Sequence, residues 1–248
     1  MITYDVLDVH VSVVNLEKAA TLLRSMATSH RKGYICVAPV STIVDARRDP
    51  AYRAVINAAA MVTPDGMPVA WLGRCQGFKE VARTYGPDLM LRVCNEGRID
   101  GLRHFFYGAT KEVCDKLEHN LKKKFPALIV VGKMAPPYME QAEPVTQDEI
   151  QAINAARPDI LWVGLGSPKQ DFWMSLNREA LNVPVMVGIG AAFDFHSGVK
   201  PQAPVWMRVC GLEWLFRLCC EPRRLWKRYL KGNTQFMYWV VKEALFGK

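Results

Sequence analysis

The chain has 248 residues, of which 50% are hydrophobic and 23% charged, so it is long enough for one large α/β domain or a domain with an appendage. Its seven cysteines form no C-x-x-C pair, which argues against a zinc site or a disulfide framework and favours a reducing compartment. No signal-peptide pattern and no apolar run of about 18 residues occurs, so we expect a cytoplasmic protein that meets a membrane only peripherally.

Six apolar segments predict strands that are buried on both faces, because none of them alternates between apolar and polar residues. The predicted strands are 34–40, 60–63, 104–108, 128–131, 160–164 and 185–189. Helices are predicted at 15–29, where Asn15 is a capping residue, at 88–96 and at 111–125, and after the capping box at 146–149. This alternation favours a doubly wound α/β fold with a mostly parallel sheet.

The chain changes character near Pro201, where tryptophans and arginines become frequent. Nine basic and three acidic residues follow residue 200, so most of the net charge of +8 lies there. This asymmetry indicates an anionic partner, either a phosphate, a lipid headgroup or a nucleic acid. We expect a catalytic core over 1–200 and a helical appendage over 201–248, whose closing segment 235–246 packs on the core or lies in a membrane interface.

The segment 164–170, GLGSPKQ, directly follows a predicted strand. Gly166 permits a tight turn, and Ser167 and Gln170 have the spacing of a capping box, so a helix is predicted to begin here. Free N–H groups at the carboxyl end of a strand suit an anion, although a well-capped helix without a ligand explains the pattern equally well. The candidate substrate contacts in this segment are Gly166, Ser167, Lys169 and Gln170.

Two further segments follow predicted strands. TPDGMP at 63–68 contains a turn signature, which alone explains it, but a carboxylate at Asp65 would also accept a proton from a sugar hydroxyl. GIGAAFDFHSG at 188–198 lets the backbone approach a ligand closely and offers Asp194 and His196 as polar contacts. Its alternative is a tight loop, in which His196 is structural or solvated rather than a metal ligand.

The appendage carries arginines suited to a diphosphate, because a guanidinium binds pairs of oxygen atoms. Arg217, Arg224 and Arg228 have helical spacing, although Pro222 is expected to break the helix after the first of them. A solvated basic surface over a tryptophan core is the alternative. The chain contains no D-x-D, H-E-x-x-H, G-x-S-x-G or Walker motif and no familiar nucleic-acid-binding motif.

These segments together resemble the WecG/TagA/CpsF family of bacterial glycosyltransferases over about residues 34–229. Their order and combination carry the resemblance, since each segment alone is a weak signal. They are TPDGMP (63–68), RTYGPDL (83–89), FYGAT (106–110), RPDILWVGLGSPKQ (157–170), GIGAAFDFHSG (188–198) and GLEWLFRLCCEPRRLWKRY (211–229).

The resemblance implies a Rossmann-like α/β core and an appendage that docks on the inner face of the cell membrane and closes the site. It implies inverting transfer of an N-acetylmannosamine-type sugar or related hexose from a UDP-sugar to a polyprenyl-diphosphate-linked sugar, in cell-envelope or exopolysaccharide synthesis. No metal or other cofactor is implied. Asp65 would be the general base, and Arg83 and Gln170 would position substrate. The residues implied to bind the diphosphate are Arg217, Arg224 and Arg228.

One segment departs from the family, whose members often carry a Thr and an Asn at the end of an early strand. This chain has Val37, Ala38 and Pro39 there, which predicts a different donor or acceptor sugar. A soluble acceptor stays open as an alternative, as does a non-catalytic membrane scaffold, while the nearly neutral core disfavours nucleic-acid binding. An apolar surface on the appendage would bind a second copy of the chain as well as a lipid, so a homo-oligomer is a further alternative.

Overall fold

The computed structural model describes residues 1–247, except for the side chains of Arg224 and Arg228. These residues form eight strands and twelve helices. The strands are β1 Thr3–Val6, β2 Val9–Ser12, β3 Gly33–Ala38, β4 Met61–Pro64, β5 Arg103–Gly108, β6 Ile129–Met134, β7 Ile160–Gly164 and β8 Val185–Gly188. The helices are α1 Leu16–Thr28, α2 Val40–Arg48, α3 Pro50–Asn57, α4 Met67–Cys75, α5 Gly86–Glu96, α6 Lys111–Lys124, α7 Gln147–Ala156, α8 Lys169–Asn177, α9 Ala191–Ser197, α10 Val205–Val209, α11 Glu213–Cys220 and α12 Pro222–Phe246.

Strands β3 to β8 form one sheet in which every neighbouring pair is parallel, in the order β4-β3-β8-β7-β5-β6. The six strands predicted from the sequence are confirmed, because strands buried on both faces favour uninterrupted apolar runs. All six carboxyl ends lie at one edge of the sheet, which is where open α/β sheets bind their ligands.

Helices cover both faces of this sheet, as a doubly wound fold requires. In β7, Ile160 and Trp162 lie in the core formed with α1, α5, α6 and α9. Leu161 and Val163 lie in the core formed with α2, α3, α8 and α12. All four side chains are fully buried, so the sheet is the middle of three layers and holds its loops at fixed positions.

The sequence patterns do not predict the antiparallel hairpin of β1 and β2. Its turn places Leu7 at φ 53° and Asp8 at φ 66°, a conformation in which hairpin turns usually carry Asn or Gly. The hydroxyl of Ser12 accepts a hydrogen bond from the N–H of Val62 at 3.0 Å. This bond attaches β2 beside β4 and extends the core on that side.

Two of the predicted helix caps are confirmed. The side chain of Asn15 accepts a hydrogen bond from the N–H of Lys18 at 2.9 Å at the start of α1. At the start of α7, Thr146 and Glu149 form a complete capping box, in which each side chain bonds the other residue's backbone N–H.

The predicted cap of α8 is wrong, although a helix does begin in this segment. The helix starts at Lys169 with Pro168 in the cap position, and no side chain caps it. The hydroxyl of Ser167 instead accepts a hydrogen bond from Nε2 of Gln170 at 3.1 Å. The Gln170 side chain is engaged with backbone groups of a second loop, which a local capping pattern does not anticipate.

The segment after residue 200 is helical, as predicted, and a helix boundary falls at Pro222, which is the first residue of α12. Helix α12 lies along α2, where Phe236 is buried in the core and Glu243 lies 3.1 Å from Arg47. The closing segment therefore packs on the core through one face, while its other face is exposed. The division into domains at residue 200 stays a prediction. Within residues 1–247, no helix combines the length and apolar character needed to cross a membrane.

Candidate active site

A cleft of about 350 Å³ lies at the carboxyl edge of the sheet, among the loops that follow β3, β4, β5, β7 and β8. The loop after β7 contributes Gly166, Ser167 and Gln170, and the segment after β8 contributes Gly190 and Asp194. The cleft is therefore assembled from segments that the sequence predicted separately as strand-end loops.

Gln170 joins the two glycine loops of this cleft. Its Oε1 accepts hydrogen bonds from the N–H of Gly166 at 3.2 Å and from the N–H of Gly190 at 3.0 Å. A Cβ at Gly188 would lie 3.0 Å from Nε2 of Gln170 and 2.8 Å from the Met174 methyl carbon, so a side chain here would displace the end of Gln170 or of Met174. The two N–H groups satisfied by Gln170 are not free for an anion, and the loops are fixed relative to each other.

Asp65 lies directly after β4, on the turn that leads into α4. Its N–H donates to the carbonyl of Ala38 at 3.3 Å, which ties the turn to the end of β3. The side chain is 17% exposed, and Oδ1 has no hydrogen-bond partner among the described residues. Burial, opposed by the charge of Arg83, raises the pKa of this carboxyl group to about 7. The ionised form of a carboxyl group with this pKa can accept a proton near neutral pH.

A second cavity of about 430 Å³ begins at Asp65 and extends between α4 and the C-terminal helices. Trp71 and Met67 line it from α4, and Trp214 and Met237 line it from α11 and α12. Most of this lining is apolar, whereas the first cleft is lined largely by backbone and polar groups. We call the cleft at the edge of the sheet the polar cleft and the cavity beside α4 the apolar cavity.

Asp65 and Arg217 line both cavities. The guanidinium of Arg217 lies 5.7 Å from the ring centre of Phe195, at the side of the polar cleft. The structure thus places a carboxyl group and a guanidinium where the two cavities meet. Arg83 lines the apolar cavity beside Asp65, and its Nε donates to the Asp65 carbonyl at 2.5 Å.

The remaining predicted residues do not all lie at the two cavities. Asp194 lines the polar cleft and pairs with Lys200 at 2.9 Å. Lys169 lines neither cavity, because its ammonium group donates to the carbonyl of Met139 at 2.6 Å. The predicted diphosphate contacts of Arg224 and Arg228 lie outside the described residues.

The segment around His196 is helix α9 rather than a loop. Nε2 of His196 lies 2.9 Å from the carbonyl oxygen of Pro87, and burial lowers the pKa of the imidazole. This contact attaches α9 to α5, and His196 lines neither cavity, which favours the structural interpretation of this histidine over a ligand contact. Within residues 1–247, no three His, Cys, Asp or Glu side chains are grouped so that they could hold a metal ion.

Sequence reasoning missed Glu213, which is almost fully buried beside Arg83 and Tyr85. A signal was available, since Glu213 is one of only three acids in a strongly basic segment. Such an acid is rarely buried without a partner of opposite charge.

The fold, the strand-end cleft and the buried acid together are typical of an α/β enzyme, with two adjoining cavities at the carboxyl edge of its sheet. The model of the Glycosyl transferase WecG/TagA/CpsF family matches residues 4–248. The chain therefore belongs to this family and is a glycosyltransferase.

Curated relatives of the chain share one description, "N-acetylglucosaminyldiphosphoundecaprenol N-acetyl-beta-D-mannosaminyltransferase". The relative from Bacillus spizizenii is 32% identical over 186 residues, which is 75% of this chain and 70% of the relative. The relative from Bacillus subtilis is 30% identical over 196 residues, covering 79% and 74%. The relative from Staphylococcus aureus is 25% identical over 227 residues, covering 92% and 86%.

Proposed function

We propose that this protein transfers an N-acetylmannosamine-type sugar or related hexose from a UDP-sugar to a polyprenyl-diphosphate-linked sugar, with inversion, in the synthesis of a cell-envelope or extracellular polysaccharide. The observation that carries the proposal is the position of Asp65, which lines a polar cleft on one side and an apolar cavity on the other. A nucleotide sugar suits the first and a lipid-linked acceptor suits the second. The names of the three relatives support the lipid-linked acceptor and the type of sugar transferred.

In the proposed reaction, Asp65 accepts the proton of the acceptor hydroxyl as its oxygen attacks the anomeric carbon of the donor. The new carbon–oxygen bond forms on the face opposite the bond that breaks, so the configuration inverts. The electron pair of the broken bond leaves with UDP. The pKa of Asp65, raised by burial, makes it a better base than an exposed carboxylate while leaving it ionised at slightly alkaline pH.

The charge that develops on the leaving UDP needs a cationic partner. Arg217 is the described cation that lines both cavities, and a guanidinium binds diphosphate oxygens in pairs. The sequence adds Arg224 and Arg228 on the following helix as further candidates. We propose that these arginines, rather than a divalent metal, stabilise the leaving group.

The lipid tail of the acceptor implies that the transfer takes place at a membrane surface. Helices α10 to α12 expose an unusual number of aromatic and aliphatic side chains among basic residues, a combination that favours the headgroup boundary. The side chains are Val205, Trp206, Val209, Trp214, Leu215, Trp226, Leu230, Met237, Tyr238, Val241, Leu245 and Phe246. We therefore propose peripheral binding to the inner face of the cell membrane, which flotation with anionic lipid vesicles would detect.

Two apolar side chains shape the donor end of the polar cleft. Val37 and Pro39 line it from the end of β3, where family members often have Thr and Asn. Apolar groups cannot hydrogen-bond a sugar hydroxyl or acetamide, so the donor preference is proposed to differ in the group recognised here.

The experiment is a transfer assay with the full chain, a panel of UDP-sugars and a chelator. The acceptor is N-acetylglucosamine diphosphate carrying either a polyprenyl tail or a short soluble alcohol. Transfer in chelator to the polyprenyl acceptor alone is expected. Equal use of the soluble acceptor would favour the soluble-substrate alternative. Absence of both transfer and UDP binding would favour the scaffold.

A further inference from the structure

Glu213 is an acid of the C-terminal helices that reaches into the core domain's site. Its side chain is 10% exposed, and no other residue of α11 is buried. Oε1 accepts a hydrogen bond from the hydroxyl of Tyr85 at 2.6 Å, and Oε2 pairs with the guanidinium of Arg83. Both partners belong to the segment that connects α4 to α5.

Arg83 is held by contacts to three elements. Its Nε donates to the carbonyl of Asp65 at 2.5 Å, and its NH1 donates to the carbonyl of Arg208 in α10 at 2.9 Å. Its NH2 bonds Glu213 and lies 3.6 Å from Oδ1 of Asp65, which is beyond a hydrogen bond. Its guanidinium also lies 4.3 Å from the ring centre of Tyr85. The donor nearest to the Asp65 carboxylate is thus directed to Glu213.

We propose that Glu213 is a positioning residue that couples docking of the C-terminal helices to the reactivity of Asp65. By binding NH2 of Arg83, it holds the guanidinium 3.6 Å from Oδ1 of Asp65, in an ion pair without a hydrogen bond, and leaves Oδ1 available for the acceptor hydroxyl. When α11 is away, Arg83 is released to hydrogen-bond the Asp65 carboxylate and the base is quenched. This inference rests on the proposed role of Asp65 as the general base.

The charges around Asp65 set the direction of the effect. Arg83 and Arg217 lower the pKa of the Asp65 carboxyl group, whereas Glu213 and Asp88 raise it, in addition to burial. Asp88 is itself paired with Arg208 at 2.9 Å, and the buried Tyr85 hydroxyl faces the same group of charges. Removal of the Glu213 charge therefore lowers the Asp65 pKa in two ways, by loss of repulsion and by release of Arg83.

The direct test titrates Asp65 by carbon-13 NMR of its carboxyl carbon in the full chain, with Asp65→Asn used for assignment. In Glu213→Gln, we expect the midpoint to fall by about one pH unit or more. Glu213→Asp should retain a midpoint between those of Glu213→Gln and the unmodified protein. Glu243→Gln is the matched control, because it removes the same charge from α12 but its partner Arg47 lines neither cavity.

An unchanged midpoint in Glu213→Gln, or an equal fall in Glu243→Gln, would overturn the proposal. If Glu213→Gln does not fold, the titration of Glu213→Asp tests the proposal instead. Its shorter side chain should release Arg83 in part and lower the midpoint. A midpoint equal to that of the unmodified protein would contradict the coupling. The NMR titration needs no substrate, so its result is independent of whether the proposed transfer reaction is found.

A kinetic readout separates positioning from a merely structural role. In Glu213→Gln, the acidic limb of the kcat profile should move to lower pH, and kcat at its plateau should fall about tenfold because Asp65 becomes a weaker base. A loss of activity with the limb in its original place would assign Glu213 to stability alone and overturn the proposal.

Discussion

The polar cleft and the apolar cavity meet at Asp65 but are built in different ways. The cleft is formed by loops at the edge of a buried parallel sheet, and Gln170 bonds two of these loops to each other. One wall of the apolar cavity belongs to α11 and α12, which reach the core mainly through α2. We therefore infer a donor site that is built mainly on the sheet, with Arg217 added from α11, and an acceptor site that exists only while the C-terminal helices are docked.

The largest expected effect follows from undocking α12, which should change the apolar cavity more than the polar cleft. Phe236→Ala removes a side chain that is 2% exposed and should cost about 3–5 kcal/mol in the free energy of unfolding. Transfer to the polyprenyl acceptor should be lost, while the thermal shift with UDP should persist in reduced size at temperatures where the core stays folded, because the loops of the sheet remain and only the arginines of the C-terminal helices are displaced. Phe246→Ala, at a position 81% exposed, is the control and should change stability little. Equal loss of UDP binding and transfer would contradict two separately built sites.

A smaller effect is expected from loosening the polar cleft. Gln170→Ala leaves the N–H groups of Gly166 and Gly190 without their acceptor, which should cost about 1–3 kcal/mol. UDP binding, measured by calorimetry, should weaken at least tenfold, with little change in binding of the polyprenyl acceptor. The control is Gln76→Ala, which removes an exposed glutamine that lines neither cavity. Unchanged UDP affinity would remove Gln170 from the donor site.

The smallest expected effect concerns the wall of the apolar cavity. Trp71 is 49% exposed, so Trp71→Ala should cost about 1–2 kcal/mol of acceptor binding through lost apolar contact. KM should rise about tenfold for a polyprenyl acceptor and stay constant for the UDP-sugar. Ile99→Ala, at an exposed apolar position that lines neither cavity, should leave both KM values unchanged. A rise in the donor KM would show that the cavities are not functionally distinct.

Local patterns predicted the sheet, because a buried parallel strand is recognisable from its own residues. The hairpin was missed since Leu7 and Asp8 occupy a turn conformation that usually requires Asn or Gly. The Ser167 cap failed because Gln170 bonds Gly190, a residue in another loop. The partners of Glu213 could not be predicted for the same reason, as they lie 128 and 130 residues away in sequence. The scarcity of acids in its segment marks Glu213 as unusual, but a local pattern does not identify the residues that it pairs with.

The central claim is that one carboxylate serves both cavities. It is tested most directly by a single-turnover measurement on Asp65→Asn, with the UDP-sugar and the polyprenyl acceptor both bound before the reaction is followed. Binding of each substrate should persist, while the rate of transfer falls by about 10²–10⁴-fold for loss of a general base. Transfer at the rate of the unmodified protein, with both substrates bound, would contradict the account.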